Sequence, residues 1–114
     1  MVKKDEYYTI EIKNHVERIP YRDVLYILKD GKYAVFHLQS GKTMSVRKTL
    51  SQISNEISQA YFYFADRGCI INLANVVGID KLGIILPDHQ RITISKGSMS
   101  EFKTTMLRFW GKQI

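Results

Sequence analysis

The sequence predicts a mostly β domain with one short internal helix and a C-terminal helix. Three observations carry that prediction. Short segments alternate apolar with polar residues, turn-forming dipeptides separate them, and helical spacing of apolar residues occurs at only two places. With 114 residues the chain suits a single domain spanning 1–114, its core over about 7–110.

Tyr7 to Lys13 alternates and is rich in strand-favouring side chains. Asn14-His15 offers a turn, and Val16 to Ile19 returns as a partner strand. Val24 to Leu28 and Tyr33 to Leu38 flank Lys29-Asp30-Gly31-Lys32, where Asp30-Gly31 accepts the positive φ of a tight hairpin turn. A second turn, Gln39 to Lys42, leads into a strand over Thr43 to Val46, which makes a three-strand meander. Leu50, Ile53 and Ile57 then share one helical face, and Thr49 or Ser51 can cap that helix. Strand character resumes at Tyr61 to Ala65, Cys69 to Ile71, Val76-Val77, Ile84 to Leu86 and Arg91 to Ser95. The last helix is expected from about Ser98 to Phe109, with Met99, Phe102, Met106 and Phe109 on one side. Ser98 and Glu101 form a capping box for it.

Lys plus Arg number 17 against 11 Asp plus Glu, a net charge of +6 that favours an anionic partner such as nucleic acid. Cys69 is alone, so no intramolecular disulfide can form. No apolar run reaches the roughly 18 residues of a membrane span, and the reading is a soluble, cytoplasmic protein with no membrane insertion. Gly-rich phosphate loops, His-Glu-x-x-His and Gly-x-Ser-x-Gly do not occur, and His15, His37 and His89 stand without metal-ligand spacing. Neither an enzyme nor a cofactor or metal site is expected. Cys69, beside Ile70 and Ile71, reads as a buried structural thiol.

Four segments in order carry a family resemblance. Tyr21-Arg22-Asp23-Val24-Leu25-Tyr26-Ile27 is similar to an opening strand of the form hydrophobic-x-Asp-Ile-x-Tyr-Ile, and Gly31-Lys32-Tyr33 to its Gly-x-Tyr turn. Thr43 to Leu50 resembles a Val-Arg-x-Thr-Leu pattern. Tyr63-Phe64-Ala65-Asp66-Arg67-Gly68-Cys69-Ile70-Ile71-Asn72 resembles a signature stretch Phe-Arg-Val-His-Arg-Ser-Tyr-Ile-Val-Asn, with Asn75-Val76 following, and Arg91 to Lys96 resembles the closing Ile-Pro-Val-Ser-Arg. Together, over about residues 7 to 110, they resemble the LytTR DNA-binding family of bacterial response regulators. Phe64, Asp66, Gly68 and Lys96 depart from the family's arginine, histidine, serine and arginine.

The resemblance implies an elongated arrangement of short antiparallel β-sheets that reads double-stranded DNA through loops between strands. Carried over residue by residue, it implies base contacts from Lys32, Arg67 and Lys96. Arg47, Lys48 and Thr49, at the start of the internal helix, and Lys29 are assigned to phosphate, since a helix N-terminus offers free N–H groups. Asp66 either repels phosphate, pairs with Arg67 or accepts from cytosine. The implied function is sequence-specific binding to promoter repeats as the output domain of a two-component transcriptional regulator, beside a receiver domain or second subunit. Trp110, if exposed, would mark such a contact. Two other readings remain open: a LytTR-like module that inhibits another regulator by protein contact, and a basic β module for single-stranded RNA using Tyr61 and Tyr63.

Overall fold

The computed structural model describes residues 7–112, which form ten strands and two helices. β1 (Tyr7–Ile12) and β2 (His15–Pro20) make a hairpin. β3 (Val24–Asp30), β4 (Tyr33–Leu38), β5 (Thr43–Val46), β6 (Phe62–Asp66) and β7 (Cys69–Asn72) form a central sheet in the order β5-β4-β3-β7-β6. β8 (Gly78–Asp80), β9 (Gly83–Ile85) and β10 (Arg91–Ile92) form a third sheet. Every pairing is antiparallel. α1 (Leu50–Glu56) precedes β6, and α2 (Lys96–Lys112) closes the described chain.

The central sheet is covered on both faces because successive side chains on a strand point to opposite sides. One face sends Ile27, Phe36, Phe62 and Ile70 against Tyr8, Ile10 and Ile19 of the first hairpin and Leu50, Ile53 and Ile57 of the α1 segment. The other sends Cys69 and Ile71 against Ile84 and Leu86 beneath Phe102 and Met106 of α2. β7 is thus buried on both sides, which explains its continuous apolar run. Each fully buried aliphatic side chain contributes about 1.5–3 kcal/mol, so two such layers stabilise a domain of 43 × 38 × 26 Å with no disulfide: Cys69 is a free, buried thiol.

Several local expectations shift. The first hairpin turns at Lys13-Asn14, with Lys13 at φ 53°, rather than at Asn14-His15. In the β3–β4 hairpin Asp30 pairs with Tyr33, so the two-residue loop is Gly31-Lys32, not Asp30-Gly31. Gly31 alone there takes a positive φ (60°), the residue pattern of a type II′ turn. β6 begins at Phe62 and leaves Tyr61 outside it, and Val76-Val77 leads into β8 rather than forming a strand. β10 covers only Arg91-Ile92 of the expected Arg91–Ser95. Gly83, at φ 141°, is required where β9 meets β10: a Cβ there would lie 2.6 Å from the Ile92 carbonyl oxygen.

Of the two caps offered for α1, Thr49 is used. Its hydroxyl accepts from Gln52 N–H (3.1 Å) while Gln52 Oε1 accepts from Thr49 N–H (2.8 Å), a full capping box. The Ser98 cap for α2 is overturned. The helix starts at Lys96, the Ser95 carbonyl accepts from Ser98 N–H (2.9 Å) and Met99 N–H (3.2 Å), and the Ser95 and Ser98 hydroxyls bond each other at 2.8 Å. Ser95 therefore stands in the cap position. Trp110 is half-buried and packs against the second core, not exposed.

Candidate nucleic-acid interface

Antiparallel pairing decides where the turns fall. Asp30–Tyr33 and Leu28–Cys69 pairing, with Val46 opposite Ala34, puts the β3–β4 turn, the β6–β7 turn and the exit from β5 at one end of the central sheet. The three connections at that end are Gly31-Lys32, Arg47-Lys48-Thr49 and Arg67-Gly68, so four of seven residues are cations. At the opposite end, residues 21–23, 39–42, 57–61 and 73–75 supply only Arg22 and Lys42, with Asp23 beside them. The cations in the connections of the central sheet therefore lie mainly at one end, which favours an anion there.

Backbone bonds fix the turns to one another. Lys29 N–H donates to the Gly68 carbonyl at 2.9 Å, tying the arm that carries Lys32 to the turn that carries Arg67. Asp66 is spent on local structure: Oδ1 accepts from Gly68 N–H (2.9 Å) and Oδ2 from Ser95 N–H (3.4 Å). That second bond draws the start of α2, and so Lys96, to the Arg67 turn. Of the three roles considered for Asp66, pairing with Arg67 is not seen; the carboxylate serves the backbone instead. All seven sequence-predicted residues gather at this end. Six line or flank it directly, and Lys96 is joined through Ser95.

Lys29, Lys32, Tyr33, Lys48, Thr49, Phe64 and Arg67 line a shallow groove of about 170 Å³ here. Lys29, Lys32, Arg47, Arg67 and Lys96 are exposed, and none forms an ion pair among the described residues. Lys48 differs. Its ammonium lies 2.8 and 3.1 Å from the Glu56 oxygens, and Glu56 also accepts from Tyr8 O–H at 2.6 Å. Burial pushes the Glu56 carboxyl up, but the hydrogen bonds from Lys48 and Tyr8 and the Lys48 charge outweigh it and hold the group below the usual carboxylate range. With seven residues, α1 has only about two turns of aligned dipoles, so attraction for phosphate here rests on the cations.

Tyr33 and Phe64 are the aromatic residues of the groove, and sequence reasoning assigned neither to the site. Phe64 was visible only as a departure from the family pattern. A second depression, about 400 Å³, lies between the start of β6 and α2, lined by Tyr61, Tyr63, Arg108 and Phe109 among others. It is larger but carries a single cation. Tyr63 there is half-buried and packs on Phe102 (5.8 Å between ring centroids), so Tyr61 and Tyr63 do not form an exposed aromatic ladder.

A family model described as the LytTr DNA-binding domain matches residues 14–107. The chain belongs to this family. Its members are DNA-binding domains rather than enzymes. Among solved structures, a LytTr DNA-binding domain from Bacillus cereus, described as part of a methyl-accepting/DNA response regulator, superposes with a TM-score of 0.72. The match covers 90% of this chain and 96% of that one at 17% identity, a likeness of fold. No curated protein matches the sequence. Within this LytTr domain, Asn72 and Asn75 of the signature stretch are structural. Asn72, 1% exposed, donates to the Tyr21 and Val24 carbonyls (2.9 Å each) and accepts from Ala74 N–H. Asn75 donates to the Arg22 and Val24 carbonyls. Among the described residues no helix is long and apolar enough to cross a membrane.

Proposed function

We propose that this LytTr domain binds double-stranded DNA sequence-specifically, as the cytoplasmic output part of a bacterial two-component transcriptional regulator. The gathering of cationic turns at one end of the central sheet is the observation that carries the reading. Lys32, Arg67 and Lys96 enter the major groove and donate to base edges. A bidentate arginine–guanine pair is worth about 1–3 kcal/mol of discrimination, and a lysine, a point charge without the planar fork, discriminates less. Lys29, Arg47, Lys48 and Thr49 contact phosphate, and Lys48 exchanges Glu56 for it. Two domains on promoter repeats would occupy one side of the duplex, with a receiver domain or second subunit supplying the input.

Titrating duplexes against salt tests the proposal. The three cationic phosphate contacts, Lys29, Arg47 and Lys48, give a slope of about −2.7 in log K against log salt, or about 40-fold weaker binding at 200 mM than at 50 mM. A slope shallower than about −1, or no duplex binding at 50 mM salt, refutes it.

A further inference from the structure

Tyr33 and Phe64 are 47% and 38% exposed, yet both line the cationic groove. Phe62, two residues earlier on the same face of β6, is only 5% exposed and packs on Tyr21. The sheet buries the first phenylalanine and leaves the second over the groove, where water gains nothing from an apolar ring. Phosphates offer such a ring no contact either. The major groove displays one apolar group, the thymine C5-methyl.

We propose that Phe64 is a specificity-determining residue that packs on a thymine methyl next to the base pair engaged by Arg67. This rests on the duplex reading above. Two features favour a duplex over splayed single-strand bases. β3 and β7 lie between the strands of Tyr33 and Phe64, so the two backbones stand about three strand spacings, roughly 14 Å, apart. Lys29 and the Arg67 turn occupy the interval between them. A single-strand platform instead needs aromatics that successive bases can stack on. Phe64 also pairs with Ile70 on the edge strand just before the Arg67 turn, so ring and guanidinium leave the same rim of the sheet. Adjacent base pairs are then within their joint reach.

The test begins with selection of the preferred duplex from a random library. Each thymine is then replaced in turn by deoxyuridine, which removes the methyl and leaves pairing and the O4 acceptor. The wild-type chain should lose about four-fold in affinity at one thymine beside a guanine, the worth of one buried methyl. Phe64→Ala should bind the thymine and uracil duplexes equally, with an unchanged salt slope, and Phe64→Leu should keep most of the difference. Duplex binding with no thymine–uracil difference, or the same difference in Phe64→Ala, overturns the Phe64 assignment and leaves duplex binding standing. Failure to bind any duplex overturns the duplex reading itself. Single strands bound as tightly as the duplex also overturn the assignment, the ring then stacking on bases.

Discussion

Replacing Asn72 tests whether the most diagnostic polar residue of the signature stretch holds the fold rather than reads DNA. Its amide makes three hydrogen bonds of 2.9–3.0 Å in a site 1% exposed. Asn72→Ala removes all three. The Tyr21 carbonyl keeps Val24 N–H and the Val24 carbonyl keeps Asn75 Nδ2, so neither acceptor is orphaned. At about 1 kcal/mol per bond the loss is about 3 kcal/mol. With a urea slope of about 1.5 kcal/mol/M the unfolding midpoint falls by about 2 M. Asn72→Asp keeps the shape but sets a carboxylate oxygen against two carbonyl oxygens in a dry site, so it destabilises more than alanine does. The assay is urea unfolding followed by tryptophan fluorescence and circular dichroism, paired with duplex titration under folding conditions. A midpoint shift below about 0.5 M for the alanine variant, an aspartate variant more stable than the alanine one, or folded Asn72→Ala that has lost duplex binding each refutes the structural assignment.

Arg67→Ala should flatten sequence preference at one base position, whereas Arg47→Ala should weaken all duplexes alike and reduce the salt slope by about 0.9; fluorescence anisotropy on matched and scrambled duplexes separates the two, and identical profiles would contradict the division of roles. The Cys69 thiol is 3% exposed and pushed up to about 12 by burial, with the Asp66 charge adding to the effect, so a disulfide exchange reagent at pH 8 should react only at the rate the domain opens. Stoichiometric labelling within seconds in the absence of denaturant would show that the second core is not closed over it. Burial lowers the pKa of His37, which stacks on Tyr26 at 4.5 Å, below its ordinary 6.5. The unfolded chain therefore binds a proton that the folded chain resists, and His37 lowers stability as pH falls from 6.5 while leaving it level above. Urea midpoints at pH 7.5 and 5.5 for the wild type and His37→Gln read this directly, and equal pH dependence in both would rule His37 out as the cause.

Local features were the ones the sequence made legible. The β3–β4 hairpin, the β5 strand and the Thr49 cap each rest on interactions within a few residues, and all three occur at the expected place to within a turn position. The α2 start went astray because two capping patterns overlap, Ser95-x-x-Ser98 and Ser98-x-x-Glu101. A contact from Asp66, 29 residues away, accompanies Ser95 at the cap, and no local pattern reveals it. The two-sided core was likewise hidden. Cys69-Ile70-Ile71 announces burial, but which face meets α1 and which meets α2 follows from strand order. For the candidate site, the types and positions of the cations were readable; that seven residues spread over 29–96 meet at one end was not, since it depends on register. Phe64 and Asp66 looked like losses of contact chemistry. Asp66 instead binds two backbone amides, and Phe64 adds apolar surface to a charged groove.

The distribution of bonds at this end also bears on how a loop-borne reader can discriminate at all. Loops are ordinarily the mobile parts of a fold, and ordering them on binding would consume the 1–3 kcal/mol that a base contact supplies. Here the turns are short and already fastened. The Gly31-Lys32 loop has two residues, its flank is bonded to Gly68, and the Asp66 carboxylate holds both Gly68 and Ser95. Freedom is left mainly in the side chains of Lys32, Arg67 and Lys96. Arginine, with its planar fork, loses less of that freedom per hydrogen bond than lysine. Arg67 sits beside Gly68, whose N–H and carbonyl are both bonded, so under the proposed duplex reading a base contact from Arg67 should dominate discrimination, with Lys32 and Lys96 discriminating less.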